Sequence, residues 1–262
     1  MKGIVLAGGS GSRLSPLTEV TNKHLLAVYN KPMIFYPVQT LLDAGINDIL
    51  VISSPDHAGS FLKLLGNGER FDASFTFKVQ EGGNLGIAHA LSLARDFAAG
   101  DDMAVILGDN IFEDNFSEAV ETFNGGARIF LKQVEDAKRF GVAEIVDGKV
   151  VAIEEKPSKP KSNWAQTGLY LYDKRVFEII DSLDFSARGE LEITDVNNQY
   201  IEWGSMDASF VSGEWTDAGT FESLFRANSI AREISLKGAD REHKGLKAEP
   251  ILQDKLFKVT NA

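Results

Sequence analysis

The sequence predicts an α/β fold: a mixed, mostly parallel sheet flanked by helices, with a second half rich in hairpins. Three observations carry this. Short apolar runs alternate with helical segments through the first half. Most of those runs are continuously apolar rather than alternating, the pattern of parallel strands covered on both faces. In the second half, Asp147-Gly148 stands between two strand-like runs as a hairpin turn signal.

In order, Lys2–Leu6 is a short apolar strand. Pro32 opens a helix through Leu42, and Gly45 stops it. Asp48–Ser53 is a second buried strand, His57–Leu65 is helical, and Ser74–Gln80 alternates like a strand. Leu85–Phe97 has helical spacing, with Ile87, Leu91 and Ala94 on one face. Met103–Asn110 is the next apolar strand and ends in Gly-Asp-Asn. Gly141–Pro157 is the hairpin, Thr167–Asp173 a strand, and Lys174–Leu183 a helix. Ser209–Gly219 reads as a strand ending in a loop. Thr220–Leu236 is helical, with Phe221, Leu224, Phe225 and Ile230 on or near one face, and the tail beyond Lys237 is polar.

The chain has 262 residues, no repeat and no clean linker. It is expected to form one domain, with a first half over about residues 1–110, a second half over about 111–236, and a polar tail over 237–262. A chain of this size buries about 70–75% of its unfolded surface, so no covalent staples are needed. It contains no cysteine, which excludes disulfides and thiolate metal sites and fits a reducing cytoplasm. The four histidines are scattered. No apolar run approaches the roughly 18–20 residues of a membrane span, and no signal peptide precedes the first strand. A net charge of −11 argues against a nucleic-acid partner but not against a small anionic ligand held by local cations and backbone amides.

The loop after the first strand, "AGGSGSRL", has the composition of a phosphate cradle. It lies where open α/β sheets bind ligands. It is not a P-loop, because glycine and lysine do not fall at the required offsets. Nor is it a dinucleotide fingerprint, because Leu14 stands at the third glycine position; this removes an oxidoreductase reading. Arg13 follows the glycines directly, and a guanidinium is an always-charged match for phosphoryl oxygens.

"LAGGSGSRLSPLT" followed by "NKHLLAVYNKPMIFYP" resembles the N-terminal signature of the sugar-1-phosphate nucleotidylyltransferases, and most closely the glucose-1-phosphate thymidylyltransferases. "LGDN", "FGVAEI", "IEEKP", "TGLYLYD", "GELEITDVNNQY" and "WTDAGT" continue the likeness in order over about residues 2–230. The resemblance implies a Rossmann-like fold of the nucleotide-diphospho-sugar transferase type. It also implies transfer of a nucleotidyl group from dTTP to glucose 1-phosphate, with release of pyrophosphate and dependence on Mg²⁺. The attacking phosphate oxygen is already ionised at neutral pH, so such a reaction needs positioning and charge stabilisation rather than a general base.

By the same resemblance Arg13, Lys23 and Lys156 are catalytic. Leu6, Gly8, Gly9, Gly11, Ser12, Arg13, Gln80 and Gly86 bind the nucleotide. Asn110, Gly141, Glu155, Lys156, Thr167 and Tyr170 bind the sugar phosphate. Asp109 and Asp217 hold the metal. On residue pattern alone Asp109 reads equally as a turn aspartate and as a carboxylate facing the ligand crevice, and Asp217 reads as a helix cap. An amide at Gln80 suits the Watson–Crick edge of a pyrimidine.

The chain also departs from the family pattern. "QEGGNLGIAHA" lacks two usual prolines, gains a residue and carries His89 in place of glutamine. His24 replaces the glutamine usual after Lys23, Ala27 replaces a proline, and Gln166 stands where a small apolar residue is common. These departures leave UTP as an alternative to dTTP and another sugar 1-phosphate as an alternative to glucose 1-phosphate. A non-catalytic nucleotide-sugar sensor is a third reading, opposed by the complete charged set. The chain beyond about Ala231 does not resemble the longer helical C-terminus of the full-length thymidylyltransferases, which implies that their secondary regulatory nucleotide site is absent. The expected setting is cytoplasmic, with no membrane or nucleic-acid partner and with homo-oligomerisation left open.

Overall fold

The structure, a computed structural model, describes residues 1–243. The chain opens with β1 (Lys2–Ala7) and a small hairpin of β2 (Ala27–Val28) and β3 (Lys31–Pro32). There follow α1 (Phe35–Asp43), β4 (Asp48–Ser53), α2 (Ala58–Leu65), β5 (Ser74–Val79), α3 (Ile87–Ser92), α4 (Arg95–Ala98) and β6 (Met103–Leu107). Next come β7 (Asn110–Phe112), α5 (Ser117–Glu121), β8 (Ala127–Gln133), β9 (Gly141–Val146), β10 (Lys149–Glu155) and β11 (Trp164–Tyr172). The last elements are α6 (Val176–Ser182), α7 (Ile193–Glu202), β12 (Met206–Phe210), β13 (Trp215–Asp217) and α8 (Phe221–His243).

Nine strands form one sheet that runs β10-β9-β11-β6-β1-β4-β5, with β8 joined to β11 and β12. The β6-β1-β4-β5 block is parallel throughout. From β11 outward most pairings are antiparallel, with the β8–β12 pair parallel. A separate two-stranded ladder joins β7 to β13 and sets Asn110 opposite Asp217.

Alternation along each parallel strand sends successive side chains to opposite faces. Ile4, Leu6, Leu50, Ile52 and Val105 pack under α3, α6 and α7 together with Tyr170 and Tyr172. Val5, Val51 and Ile106 pack on the other face with Phe35, Val38 and Phe61 of α1 and α2. A third cluster ties α8, through Ala227, Ile230 and Ala231, to Val28, Met33 and Ile111. The parallel strands all end on one edge, at Ala7, Ser53, Val79 and Leu107. The loops that follow them form the crevice where such sheets take ligands.

Several boundaries differ from the sequence expectation, each for a local reason. The helix expected from Pro32 begins at Phe35, because Pro32 pairs with Ala27 and Met33 N–H donates to Leu26 O at 2.9 Å. The expected Leu85–Phe97 helix starts only at Ile87, after Gly86 at φ 98°, and is divided between α3 and α4. The strand expected to reach Asn110 stops at Leu107, where the chain turns so that Asn110 joins β13 instead. The Ser209–Gly219 strand is two strands; between them the Asp114 carboxylate accepts from Ser212 N–H at 2.8 Å and Gly213 N–H at 2.7 Å. α5, β8 and α7 were not expected as elements. The helix expected to end at Leu236 runs on to His243, so the polar tail expected from 237 begins as helix. The remainder of that tail, and with it much of the expectation about a regulatory C-terminus, lies outside the described residues. Among the described residues no helix is long and apolar enough to cross a membrane.

Candidate active site

The loop after β1 bends tightly because Gly11, at φ 66°, caps a 3₁₀ turn over Ser12–Leu14, and buried Leu14 anchors that turn. Thr18 Oγ1 donates to Gly11 O at 2.9 Å. The glycines make room for their neighbours: a Cβ on Gly8 would stand 2.8 Å from Gln80 Oε1, and one on Gly9 3.5 Å from Lys23 Cε. The loop therefore sits between the end of β5, which presents Gln80, and the turn that carries Lys23.

Asp109 follows β6 on the turn into β7 and is only 8% exposed. Lys23 Nζ donates to Asp109 Oδ2 at 2.5 Å, and Asn110 Nδ2 donates to Asp109 Oδ1 at 2.9 Å. Ala218 N–H donates to Asp109 O at 2.8 Å, so the β7–β13 ladder brings Asp217 alongside. Gly219 lies between charges: a Cβ there would be 3.0 Å from an Arg13 guanidinium nitrogen and 3.2 Å from Asp217 Oδ2. Arg139 Nη2 donates to Asp217 Oδ2 at 3.0 Å.

These neighbours split the two carboxylates. Burial works to raise the Asp109 pKa, but the fields of Lys23 and His24 and the hydrogen bonds of Lys23 and Asn110 outweigh it and hold it well below the usual range. Asp217 is pushed up to about 6 by burial and by the charge of Asp109, against the opposing pull of Arg139, Arg13 and Lys23.

Glu155 and Lys156 would point to opposite sides of a regular strand. β10 ends at Glu155, and Lys156 takes a left-handed φ of 46°, its N–H donating to Phe140 O at 3.0 Å. Lys156 Nζ is thereby 3.1 Å from Glu155 Oε1, and both side chains enter one cavity. Glu155 Oε2 accepts from Thr194 Oγ1 at 2.7 Å.

Two adjoining cavities contain every residue expected at the site. One, of about 320 Å³, is lined by Leu6, Gly8, Gly9, Gly11, Ser12, Lys23, Gln80 and Gly86. The other, of about 200 Å³, is lined by Asn110, Gly141, Glu155, Thr167, Tyr170 and Asp217. Arg13, Asp109 and Lys156 line both and mark where the two contents would meet. Asn110 is engaged chiefly by the protein: its Oδ1 accepts from Gly168 N–H at 2.9 Å and Trp215 Nε1 at 2.8 Å.

Sequence reasoning did not select Arg139, Arg188, Glu190 or Glu192. Arg139 stands two positions before Gly141 in "RFGVAEI", a cation adjoining a recognised motif. Arg188 donates to both Glu192 carboxylate oxygens, at 3.0 and 2.6 Å, and to Glu155 Oε1 at 3.4 Å. Glu190 lines both cavities and accepts from Asn84 Nδ2 at 2.7 Å, which bridges the two sides of the site. Arg188 and Glu192 flank or fall within the motif "GELEITD", and only the motif's outline signalled them. His24 was noted as a departure; it is a buried histidine whose Nδ1 lies 2.7 Å from Asn22 Oδ1.

Among the described residues, no cluster of three or more His, Asp or Glu side chains is gathered for a metal. Asp109 and Asp217 nonetheless suit a hard cation that takes the rest of its oxygen shell from phosphates and water. Two crowded carboxylates, one with a raised pKa, are a donor set that a divalent cation relieves.

A family profile described as "Nucleotidyl transferase" matches residues 2–233. The chain is 46% identical over 241 residues to a glucose-1-phosphate thymidylyltransferase of Neisseria meningitidis, covering 89% of this chain and 83% of that protein. It is 44% identical over 244 residues to a protein of the same name from Mycolicibacterium smegmatis, covering 90% and 84%. A Bacillus anthracis crystal structure, described as a candidate glucose-1-phosphate thymidylyltransferase in complex with a sucrose, superimposes with a TM-score of 0.85. That chain is 52% identical, and the match covers 89% of this chain and 96% of that one.

Proposed function

The chain belongs to the nucleotidyl transferase family, and from that footing we propose that it transfers a thymidylyl group from dTTP to glucose 1-phosphate. The products are dTDP-glucose and pyrophosphate. The observation that carries this reading is the meeting of the two cavities at Arg13, Asp109 and Lys156. A nucleoside triphosphate in the glycine-lined cavity and a sugar phosphate beside Glu155 would bring acceptor oxygen and α-phosphorus together there.

In this reading a phosphate oxygen of the sugar 1-phosphate attacks the α-phosphorus, and the bond to the β-phosphate bridging oxygen breaks. Glycine-loop amides and Arg13 hold the triphosphate, and Arg13 stabilises charge developing at the α-phosphorus. Lys23 lines the same cavity as Arg13 and holds Asp109. Lys156 holds the sugar phosphate against Arg13. Glu155, oriented by Thr194 and Arg188, accepts from sugar hydroxyls, with Gly141, Thr167 and Tyr170 around it. Gln80, backed by Gly8, pairs with the base, and Gly86 opens the helix beside it.

Asp109 and Asp217 are the residues that would hold Mg²⁺, which when bound neutralises phosphate charge. Nucleotide and sugar-phosphate substrates place the work in the cytoplasm, in agreement with a chain without cysteine.

The test is pyrophosphate release from glucose 1-phosphate with each nucleoside triphosphate supplied separately, in the presence of Mg²⁺. Release with dTTP is the expected result. Silence with every nucleotide and every common hexose 1-phosphate sinks the enzyme reading, and release with UTP alone corrects the base.

A further inference from the structure

Gln166 occupies a position where a small apolar residue was expected, yet it is 6% exposed and lines the sugar-side cavity. A buried amide in such a place must have its donors and acceptors accounted for. The surrounding network fixes which way it faces. Tyr172 Oη donates to Asn197 Oδ1 at 2.6 Å. With its oxygen taken, Asn197 presents its amide nitrogen to Gln166, and Asn197 Nδ2 donates to Gln166 Oε1 at 2.9 Å. Gln166 must then turn Nε2 the other way, where its one partner among the described residues is Tyr170 Oη at a long 3.4 Å.

The donors of this floor are therefore in surplus. Gln166 Nε2 carries two hydrogens and places one in a weak bond. Tyr170 Oη accepts that bond, and among the described residues nothing accepts its own proton. Thr167 Oγ1 is buried without a hydrogen-bond partner and lines the same cavity. Asn197 is completely buried, so the network is held by the core and not by solvent. The same cavity also carries the Glu155 carboxylate, an acceptor.

We infer that Gln166 is a specificity-determining residue: with Tyr170 it donates hydrogen bonds to one ring or exocyclic hydroxyl of the hexose 1-phosphate. The occupant is a sugar with an oxygen acceptor at that position, and a deoxy sugar or an ammonium-bearing amino sugar is rejected there. This rests on the proposed sugar-phosphate reading and deepens it. Sites built to hydrogen-bond a hydroxyl reject the analogue that lacks it more strongly than apolar pockets reject an extra group, because buried donors are left unpaired.

The test compares glucose 1-phosphate with its 2-, 3-, 4- and 6-deoxy analogues in wild type, Gln166→Val and Gln166→Glu. Turnover with dTTP and calorimetric binding in the presence of dTMP are both measured. The wild type is expected to disfavour one of the four analogues by about ten-fold or more. Gln166→Val is expected to abolish that single preference, and Gln166→Glu, which offers an acceptor where the amide offered donors, to change it, each leaving the other three ratios unchanged. Gln166→Glu keeps an acceptor for Asn197, which guards against a failure of Gln166→Val to fold. A pattern of four ratios unchanged in the variants, or an even loss across all sugars, overturns the inference. Absence of turnover with position-specific binding retained overturns the proposed reaction instead and leaves the role of Gln166 standing.

Discussion

Lys23 Nζ and Asp109 Oδ2 are 2.5 Å apart, with side chains only 13% and 11% exposed. The ammonium is the main reason a buried carboxylate keeps its charge at this point. Removing one partner of such a pair leaves the other unpaired in a poor solvent for ions. Lys23→Met is expected to destabilise the fold by about 3–5 kcal/mol and to cut turnover by about 10²–10³. Urea unfolding and steady-state kinetics read the two effects. A variant with wild-type stability and turnover would remove this pair from the account.

Asp217 presents the opposite case. Its folded pKa of about 6 lies above the ordinary aspartate value of 3.8, so the folded state holds this proton more tightly than the unfolded state does. The resulting destabilisation grows as pH rises from the unfolded value toward about 6 and is complete above it. Asp217→Asn removes the charge. It is expected to be more stable than wild type by about 1–3 kcal/mol at neutral pH, with activity lost. The stability gap should open between pH 4 and 6 and stay level above that. A gap that does not change with pH would contradict the raised pKa.

His24 carries a second pH signature. Burial, then the field of Lys23, pushes its pKa from 6.5 down to about 3, against the pull of Asp109. The unfolded chain therefore takes up a proton at a pH where the folded one does not. The stability linked to neutral His24 is complete above about pH 6.5 and is lost as pH falls from there toward about 3. Its slope is about 1.4 kcal/mol per pH unit. His24→Gln is expected to flatten this part of the pH–stability curve, as followed by urea midpoints. An unchanged curve would mean that the imidazole titrates normally.

Gly86 stands at φ 98°, and a Cβ there would lie 2.3 Å from Leu191 O. The obstacle is backbone: Leu191 N–H donates to Leu85 O at 2.8 Å, and Leu191 O accepts from Ala88 N–H at 3.2 Å. Gly86→Ala must part these two segments. A loss of about 1–3 kcal/mol is expected, together with a raised KM for the nucleotide, whose proposed cavity Gly86 lines. An unaffected KM would separate this contact from the base side of the site.

Much of this architecture was readable in advance where local chemistry and tertiary need agree. Asp48–Ser53 appears with the bounds its apolar run suggests. Asp147-Gly148 forms the expected turn, with φ 49° and 76°. What escaped was decided at long range. Pro32 has the chemistry of a helix start, but a hairpin with Ala27 takes it. The run through Asp109 and Asn110 looks like continuous strand, yet its second part belongs with β13. The glycine loop was legible as a phosphate cradle from residue type alone, whereas Asp109 and Asp217 were singled out only through the family resemblance. Arg139 and Glu190 were not, because only folding brings Arg139 to Asp217 and Glu190 to Asn84. Gln166 stood out as an oddity, and its orientation became readable only once Asn197 and Tyr172 were beside it.

The small β7–β13 ladder also bears on how the protein comes into being. Asn110 and Trp215, joined by a hydrogen bond across it, lie 105 residues apart in the chain. During synthesis the glycine cradle and Asp109 leave the ribosome long before the partner carboxylate exists. The placement of Asp217 beside Asp109 therefore arises only after both strands of the ladder have been made. A split version of the gene, cut anywhere between β7 and β13, would have to rebuild that ladder from two pieces before any turnover could begin.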